Sequence, residues 1–292
     1  MERFFIHLLS FVFSRIHLPG MYRLVSMVYG YRVTKFQKGV WLTKKYLNKR
    51  YNLRIHLYSK DLIDHKILFT GAYEPQTNWV LINNIKAGSV VVEAGANSGT
   101  ETLLISRLVG EGGSVFAFEP VPHVLKKLKD NLSLNSIANV QVVPMALGET
   151  DGNISFYIQS PDHPNQGMGS KNTVDSGLEK IDVQQKKIDT LHAEGVFNKL
   201  DFLKMDVQGA ELDILKGALK TIEKYKPGIF LEAADGWSNV TRIFDHLESL
   251  DYEVFLITNE YRLDRMERNN LKAGNWYARA IEINHETTHS KP

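Results

Sequence analysis

Residues 91–99 read Val-Val-Glu-Ala-Gly-Ala-Asn-Ser-Gly, a short apolar run followed by a turn with two glycines. Such a run predicts a buried strand, and glycine lets the following backbone turn sharply and approach a ligand closely. We predict a strand over Ser89–Glu93 and a helix over Ser98–Leu108, with Ser98 as the capping residue. The free N–H groups at the start of such a helix suit an anion. This unit indicates a sheet whose ligands bind beyond the carboxyl ends of its strands.

The same alternation of apolar runs and helical stretches continues along the chain and indicates a parallel sheet with helices on both faces. The further predicted strands are Ser114–Glu119, Val140–Ala146, Asp201–Asp206, Gly228–Glu232, Glu253–Ile257 and an edge strand over Trp276–Ile283. The further predicted helices are Val121–Leu134, Ala210–Tyr225 and Asn239–Leu250. The expected fold class is α/β, with a doubly wound, mainly parallel seven-stranded sheet of Rossmann type.

The first part of the chain differs from the rest in its charge. Residues 1–55 carry eleven Lys and Arg and a single acid, Glu2, although the 292 residues together have a formal net charge of only +2. We expect residues 1–70 to form a basic, mostly helical extension, broken at Pro19-Gly20, and residues 71–292 to form the main domain. The basic segment is either a solvated helical face packed on the protein's own core or an arm that meets an anionic surface.

Composition limits the compartment and the kinds of site. The chain has no cysteine, which excludes disulfides, thiolate nucleophiles and cysteine-ligated zinc. The N-terminal apolar run is broken by His7, Arg15 and Pro19, so we expect neither a signal peptide nor a membrane-spanning helix. We expect a cytoplasmic protein, with residues 1–55 as the part that would touch the inner face of the membrane.

The stretch between the third and fourth predicted strands has no regular pattern. Residues 151–172 contain a short predicted strand, Ile154–Ile158, and then a run rich in Pro, Gly, Asn and Asp. Loops of this kind often close over a binding site, and a plain surface loop is the alternative. His163 lies in this run as a candidate base that reaches in from above, or as a solvated loop histidine.

The ends of the first three predicted strands indicate which cofactor the sheet binds. Asn97 stands where a dinucleotide loop has its second glycine, which argues against NAD. Glu93 would attract a cationic methionine amine, and Glu119 would accept hydrogen bonds from two ribose hydroxyls. Adenine would lie against Ala146 and Leu147. We therefore expect S-adenosylmethionine (SAM), with another nucleotide as the alternative.

Several motifs together resemble those of the FkbM family of class I SAM-dependent methyltransferases. They are Gly-Ala-Tyr-Glu-Pro at 71–75, Val-Val-Glu-Ala-Gly-Ala-Asn-Ser-Gly at 91–99, Val-Phe-Ala-Phe-Glu-Pro at 115–120, Ala-Leu-Gly at 146–148, Ile-Asp-Thr-Leu at 188–191 and Leu-Lys-Met-Asp-Val-Gln-Gly-Ala-Glu at 203–211. The resemblance extends over about residues 71–235. It implies a class I methyltransferase-like fold and O-methylation of a sugar or polyketide-like hydroxyl. The family usually has Asp in place of Glu93 and commonly Glu in place of Gln208, where this chain is neutral.

Methyl transfer to a hydroxyl requires in-line alignment and is helped by a general base. Asp206, at the end of the fourth predicted strand, is the first candidate for the base or for orienting the acceptor, and Glu232 is the second. Glu211 is either an acid in the first turn of a helix or, with Asp206 and Glu232, a ligand of Mg²⁺. Residues 206–209 read Asp-Val-Gln-Gly rather than the Pro-Pro-aromatic signature of nitrogen methylation.

The candidate residues lie mainly at the carboxyl ends of the predicted strands. The candidate catalytic residues are Asp206, Glu232 and His163, and no metal-binding residue is assigned. The candidate cofactor-binding residues are Tyr73, Glu74, Glu93, Gly95, Asn97, Ser98, Gly99, Glu119, Pro120, Ala146, Leu147 and Asp206. We expect a small-molecule or glycan acceptor (a saccharide, glycolipid or polyketide-like hydroxyl) and no nucleic acid, because no Trp lies in a basic patch with stacking aromatics. The alternatives are a nucleic-acid-binding methyltransferase-like protein and a non-catalytic SAM-binding subunit.

Overall fold

The computed structural model describes residues 41–47, 50–159, 169–170, 178–233 and 236–281. Within these ranges the strands are β1 (Trp41–Tyr46), β2 (Leu53–Tyr58), β3 (Val90–Ala94), β4 (Ser114–Phe118), β5 (Val140–Val143), β6 (Ala146–Leu147), β7 (Gly152–Ile158), β8 (Gly169–Ser170), β9 (Glu179–Lys186), β10 (Phe202–Met205), β11 (Gly228–Ala233), β12 (Tyr252–Ile257), β13 (Leu263–Arg265) and β14 (Gly274–Ala280). The helices are α1 (Leu62–Thr70), α2 (Pro75–Asn84), α3 (Thr100–Val109), α4 (Pro122–Leu134), α5 (Ile188–Ala193), α6 (Glu211–Gly217), α7 (Leu219–Tyr225) and α8 (Trp237–Ser249). Among the helices so described, none has the length and apolar character needed to cross a bilayer.

Eight of the described strands form the central sheet, in the order β13-β12-β14-β11-β10-β3-β4-β5. Neighbours among β5, β4, β3, β10 and β11 run parallel, whereas β14 runs antiparallel to both β11 and β12. The chain winds from β3 to β5 and then returns to add β10 on the other side of β3. The carboxyl ends of β3 and β10 therefore lie where such sheets bind their ligands. The predicted α/β class with a doubly wound, mainly parallel sheet is confirmed.

The place of the last strand differs from the prediction. The edge strand expected over Trp276–Ile283 is β14, which lies between β11 and β12 and pairs with both. Trp276 and Ala278 are fully buried there, and β13 forms the edge instead. The order of strands along the chain does not fix their order in a sheet, because an antiparallel strand can return between two neighbours. The described sheet thus has one strand more than the predicted seven.

The strand predicted over Val140–Ala146 is divided between two sheets. β5 ends at Val143, and Ala146 and Leu147 form β6, which pairs parallel with β9. The second sheet has the order β6-β9-β7-β8 in the described residues and is formed by the segment between β5 and β10. It includes β7, which confirms the short strand predicted over Ile154–Ile158.

The helix predicted over Ala210–Tyr225 is also divided, into α6 and α7. A Cβ added at Gly217, the last residue of α6, would lie 2.0 Å from the carbonyl oxygen of Gly148, so the two backbones touch there. The Asp189 carboxylate accepts hydrogen bonds from the N–H (2.9 Å) and the hydroxyl (2.7 Å) of Thr221 in the first turn of α7. The break is therefore supported by segments that are distant in sequence.

Residues 41–70 form a hairpin of β1 and β2 followed by α1, so the expectation of a mainly helical segment is wrong for this part. Leu53, Ile55 and Leu57 alternate as buried residues along β2, the pattern of a strand with one face on the core. They join a hydrophobic cluster that includes side chains of α3 and α4. Residues 1–40, which contain the first part of the basic segment, lie outside the described residues.

Candidate active site

The loop after β3 has the backbone conformation that its glycines predict. Gly95 (φ 76°), Asn97 (φ 48°) and Gly99 (φ 90°) all adopt left-handed conformations. A Cβ added at Gly95 would lie 2.0 Å from the carbonyl oxygen of Asp206, and one at Gly99 would lie 2.7 Å from Cδ1 of Leu128. Glycine is thus required at Gly95 by the backbone at the end of β10, and it is favoured at Gly99 by the left-handed backbone conformation. A non-glycine residue in a left-handed conformation, such as Asn97, is typical of functional loops.

The cap of α3 differs from the prediction. Gly99 is the N-cap residue and makes no side-chain capping bond, so the expectation that Ser98 caps the helix is wrong. The Ser98 N–H donates to Oδ1 of Asn97 (2.7 Å), and its carbonyl accepts from Nδ2 of Asn131 (2.8 Å). The cap lies one residue later than expected because Gly99, not Ser98, makes the left-handed turn into the helix.

Glu119 follows β4 and holds the loop from the neighbouring strand. Its Oε2 accepts a hydrogen bond from the Asn97 N–H (3.0 Å), and its Oε1 accepts one from the Val121 N–H (2.9 Å). The residue is buried between them, followed by Pro120. Burial raises the pKa of Glu119 to about 7, although both backbone hydrogen bonds lower it. Each carboxylate oxygen has further acceptor capacity, which is what the predicted ribose contact would use.

A buried group of charges lies behind the loop. Lys204, in the middle of β10, is 1% exposed, and its Nζ lies 3.5 Å from Oε1 of Glu93 and 4.0 Å from Oε2 of Glu101. Its Nζ also donates to the Gly95 carbonyl (3.3 Å). The second Glu93 oxygen accepts from Oγ1 of Thr102 (2.6 Å). Glu93, expected to meet a methionine amine, is therefore fully buried, and its Oε1 has the ion pair with Lys204 but no hydrogen bond in the described residues.

Lys204 and Glu101 are the residues that sequence reasoning missed. Although burial opposes its charge, the surrounding carboxylates, Glu93 first, raise the pKa of Lys204 above its ordinary value. Burial raises the pKa of Glu101 to about 7. A signal existed for the lysine, because β10 reads Phe-Leu-Lys-Met and a charge in a fully buried strand needs a partner. No comparable signal existed for Glu101, which the turn of α3 brings to the lysine.

Tyr73 and Glu74 lie just before α2 and border the same charges. Glu74 adopts a left-handed conformation (φ 41°), and its Oε2 accepts from Oγ1 of Thr77 (2.9 Å) and Nδ2 of Asn275 (3.3 Å). Burial raises the pKa of Tyr73, and the carboxylates of Glu74, Glu101 and, more weakly, Asp206 raise it further. The phenol thus lies between the buried charges and the end of β10, and it is neutral.

Asp206 and Glu232 come together at the ends of β10 and β11. The Asp206 N–H donates to the carbonyl of Ala94 (3.1 Å), which joins it to the end of β3. Nε2 of Gln208 lies 3.3 Å from Oδ1 of Asp206 and 3.2 Å from Oε2 of Glu232, so one amide bridges the two carboxyl groups. Burial, and then the charges of Asp206 and Glu74, raise the pKa of Glu232 to about 7. The arrangement can accept a proton near neutral pH.

The suggested Mg²⁺ site is not supported. Oε1 of Glu211 accepts from the N–H groups of Val207 and Gly209 (both 3.3 Å), so this carboxylate closes its own loop at the start of α6. Nowhere in the described ranges do three or more acidic or histidine side chains form a group that could hold a metal. Asp206 and Glu232 share the Gln208 amide instead, which Glu211 does not reach.

The remaining candidates lie apart from this group or outside the described residues. Ala146 and Leu147 are buried in β6, where they pair with Gln185 and Lys186 of β9, so the end of β5 lies three residues earlier than expected. His163 belongs to residues 160–168, which the structure does not describe, and its role stays a prediction.

Residues 93–254, more than half of the chain, match the family model described as the methyltransferase FkbM domain. Methyltransferase 1 of Beauveria bassiana is 29% identical over 145 residues, which cover 44% of this chain and 58% of that protein. The 2-O-methyltransferase NoeI of Sinorhizobium fredii is 25% identical over 168 residues, covering 51% of this chain and 65% of that protein. The hexuronic acid methyltransferase AglP of Haloferax volcanii is 27% identical over 146 residues, covering 49% and 56%. These matches span less than two thirds of each relative's length. With the matched segment running from the end of β3 into β12, the chain belongs to the methyltransferase FkbM domain family.

Proposed function

We propose that the chain is a SAM-dependent O-methyltransferase that acts on a hydroxyl of a saccharide or a similar polyhydroxyl acceptor. The observation that carries the proposal is the carboxyl pair of Asp206 and Glu232, which one Gln208 amide bridges beside the end of β3. A hydroxyl is a poor nucleophile at neutral pH, and a nearby base that is ready to accept its proton assists the transfer.

The residues present fit SAM as the cofactor. A Cβ at Gly95 would collide with the carbonyl of Asp206, so glycine lets the Gly95–Gly99 loop pack directly against the end of β10 and brings the loop next to Asp206. Glu119 lies at the end of the adjacent strand with acceptor capacity for ribose hydroxyls. Behind the loop, Oε1 of Glu101 is buried without a hydrogen-bond partner in the described residues, as expected where a polar ligand group is missing.

The chemistry divides between cofactor and protein. When bound, SAM supplies an electrophilic methyl group on a sulfonium, whose carbon–sulfur bond breaks as the new carbon–oxygen bond forms. Asp206 accepts a hydrogen bond from the acceptor hydroxyl and aligns its oxygen for the in-line transfer. The hydroxyl proton passes to the pair of Asp206 and Glu232. Gln208 keeps the two carboxyl groups together and carries no charge of its own.

A sugar acceptor is supported by the names of two relatives. NoeI is a 2-O-methyltransferase and AglP a hexuronic acid methyltransferase, so hydroxyl-bearing acceptors occur among similar proteins. A glycolipid or polyketide-like hydroxyl is the further candidate. His163 and the loop around it would then form a wall of the acceptor site, a role that stays part of the proposal.

Calorimetric titration with SAM, S-adenosylhomocysteine and NAD⁺ tests the cofactor. We expect micromolar binding of the first two and no binding of NAD⁺. Binding of NAD⁺ alone, or of none of the three by folded protein, would contradict the proposal.

Activity is tested with a panel of saccharide acceptors, by following transfer of a labelled methyl group. We expect Asp206→Asn to bind SAM within about threefold of the wild type but to lower kcat by about 10²–10⁴-fold, the range for loss of a general base. An Asp206→Asn variant as active as the wild type would remove Asp206 from the mechanism. SAM binding without transfer to any saccharide, glycolipid or polyketide-like acceptor would favour a non-catalytic SAM-binding subunit.

A further inference from the structure

The buried charges behind the cofactor loop do not balance. Lys204 is the one cation beside two carboxylates, Glu93 and Glu101, within the described residues, and all three side chains are nine-tenths or more buried. Glu93 uses its second oxygen to accept from Thr102, and Glu101 uses Oε2 to accept from Oγ1 of Thr100 (2.6 Å). A buried carboxylate is costly unless a charge or hydrogen bonds compensate it. When both carboxylates are ionised, the group therefore has one negative charge more than its lysine neutralises.

One atom of the group is ready for a further contact. Oε1 of Glu101 is buried and has no hydrogen-bond partner among the described residues. The buried Tyr46 of β1 lies near this carboxylate: burial, followed by the charge of Glu101, raises the pKa of its phenol, and hydrogen bonding to Asn78 and to the backbone of Tyr73 lowers it. Glu101, in the first turn of α3, is thus the member of the group with an oxygen that no hydrogen bond in the described residues engages.

The position of Glu101 connects this surplus charge with the cofactor loop. Glu101 stands two residues after Gly99, and Lys204 donates to the carbonyl of Gly95, so the group touches both ends of the loop. Oε1 of Glu93 also has no hydrogen-bond partner among the described residues, but it lies 3.5 Å from Nζ of Lys204, whereas the ion pair of Glu101 uses Oε2. Of the two carboxylates, Glu101 is therefore the one whose remaining oxygen is engaged by neither the lysine nor a hydrogen bond.

We propose that Glu101 binds the α-ammonium group of the methionine moiety of SAM, in the role that the sequence assigns to Glu93. This inference rests on the proposed function, because it takes SAM to be the ligand. An ammonium supplies one positive charge and three hydrogen-bond donors, which matches a surplus carboxylate with an unoccupied oxygen. The Tyr46 hydroxyl is the second acceptor for the same group. Lys204 does not contact the ligand. It keeps its contacts with Glu93, Glu101 and the carbonyl of Gly95 in the loop.

The experiment compares two ligands that differ only in the amine. We would measure by calorimetry the binding of S-adenosylhomocysteine and of its deaminated analogue, in which hydrogen replaces the α-amino group. The proteins are the wild type, Glu101→Gln, Glu93→Gln and Glu119→Gln. Glu101→Gln keeps the size of the side chain and removes only the charge, so its fold is checked by circular dichroism before titration.

We expect Glu101→Gln to lower the affinity for S-adenosylhomocysteine about tenfold or more. The affinity for the deaminated analogue should change less than twofold. Glu93→Gln should preserve the wild-type ratio of the two affinities, since that carboxylate faces the lysine. Glu119→Gln should weaken both ligands alike, because it acts on the ribose. The assignment would be overturned if Glu101→Gln lowered the affinities for both ligands equally. It would also be overturned if Glu93→Gln, rather than Glu101→Gln, abolished the wild-type difference between the two affinities.

The failure of this inference is distinguishable from failure of the proposed function. If wild-type protein binds S-adenosylhomocysteine but Glu101→Gln binds it equally well, only the role of Glu101 is wrong. If the folded wild type binds neither S-adenosylhomocysteine nor SAM, the proposed function is wrong and this inference is wrong with it. If Glu101→Gln does not fold, the decisive measurement is the ratio of the two ligand affinities in Glu93→Gln. This ratio must equal that of the wild type.

Discussion

At the scale of single residues, Lys204 is the cation on which the interior behind the loop depends. Its ammonium is the positive partner of both Glu93 and Glu101, and solvent does not reach any of the three freely. We expect Lys204→Met to lower the free energy of unfolding by about 3–5 kcal/mol, because removing one partner leaves buried charge uncompensated. Urea unfolding at pH 7.5 measures this change.

Two control variants separate lost charge from lost packing. Lys204→Met combined with Glu93→Gln should be more stable than Lys204→Met alone, because it removes one of the stranded carboxylates. Lys199, whose side chain is 53% exposed, forms a 2.8 Å ion pair with Asp201, and Lys199→Met should cost less than about 1 kcal/mol. Similar losses for Lys199→Met and Lys204→Met would show that the buried group has no special importance.

Glu119 is the residue on which the ribose assignment depends. It already holds Asn97 and Val121 through backbone N–H groups, and the proposal adds the two ribose hydroxyls. We expect Glu119→Gln to weaken SAM binding by about 1.5–3 kcal/mol, the scale of a hydrogen bond to a charged group. Calorimetry measures it, with the exposed Glu111→Gln as a control that should bind normally. Unchanged affinity in Glu119→Gln would exclude the ribose contact.

At the scale of elements, α4 and the residue that caps its C-terminus are hydrogen-bonded to the β1–β2 hairpin through two asparagines. Asn131, which is 0% exposed, accepts from the His56 N–H (2.8 Å) and donates to the Ser98 carbonyl (2.8 Å). Asn135 accepts from the Arg54 N–H (2.8 Å) and donates to the Arg54 carbonyl (2.7 Å). Both asparagines hold the hairpin, but only Asn131 also reaches the cofactor loop.

This difference predicts a separation of two effects. Asn131→Leu and Asn135→Leu should each destabilise the protein by about 1–3 kcal/mol, because each removes the hydrogen-bond partner of backbone groups in β2. Both should speed hydrogen exchange over residues 53–58. Asn131→Leu alone should also lower the affinity for SAM, by about three- to tenfold, because it removes the hydrogen bond to the carbonyl of Ser98. Equal SAM affinity in the two variants would show that the hairpin and the loop are not coupled through Asn131.

At the scale of the whole molecule, the surplus of buried acid links stability to pH. The pKa of Glu101 is about 7 in the fold, where burial raises it, against an ordinary value of 4.5. The folded state therefore binds more protons between these values, and the stability contributed by this group is lost as pH rises from 4.5 to 7. His65 has the opposite effect on stability. Burial lowers its pKa from 6.5 to about 4, so its contribution to stability rises with pH over that range.

The direction of the pH effect of Glu101 can be isolated by comparing a Glu101 variant with the wild type, because the contribution of His65 to stability cancels in the difference. The neighbours of Glu101 are Lys204 and Thr100, which favour its ionised form, and Glu74 and Glu93, which oppose it. We expect Glu101→Gln to gain stability relative to the wild type between pH 5 and pH 8, by on the order of 2 kcal/mol. Urea unfolding of both proteins at these two pH values measures it. A constant difference would show that Glu101 titrates as it does in water.

Much of the architecture is determined by local pattern alone. Continuous apolar runs identified the strands that became β3, β4, β10 and β11, because a strand buried on both faces is mostly apolar. The glycines of the 91–99 stretch located the loop, and the acids at the ends of the strands located Glu119, Asp206 and Glu232. These features are readable from sequence because parallel strands all end at one edge of the sheet, so the residues after each strand meet there.

The features that the sequence left open depend on contacts between distant segments. The place of β14 inside the sheet, the break between α6 and α7 against Gly148, and the transfer of Ala146 and Leu147 to a second sheet all arise from contacts between residues at least twenty positions apart. The sequence by itself determined the fold class and the edge of the sheet where the chemistry lies, since these depend on local periodicity. Only the tertiary structure decided that Lys204 pairs with both Glu93 and Glu101, and that Oε1 of Glu101 has neither that ion pair nor a hydrogen bond in the described residues, because burial and charge pairing exist only once the elements are packed.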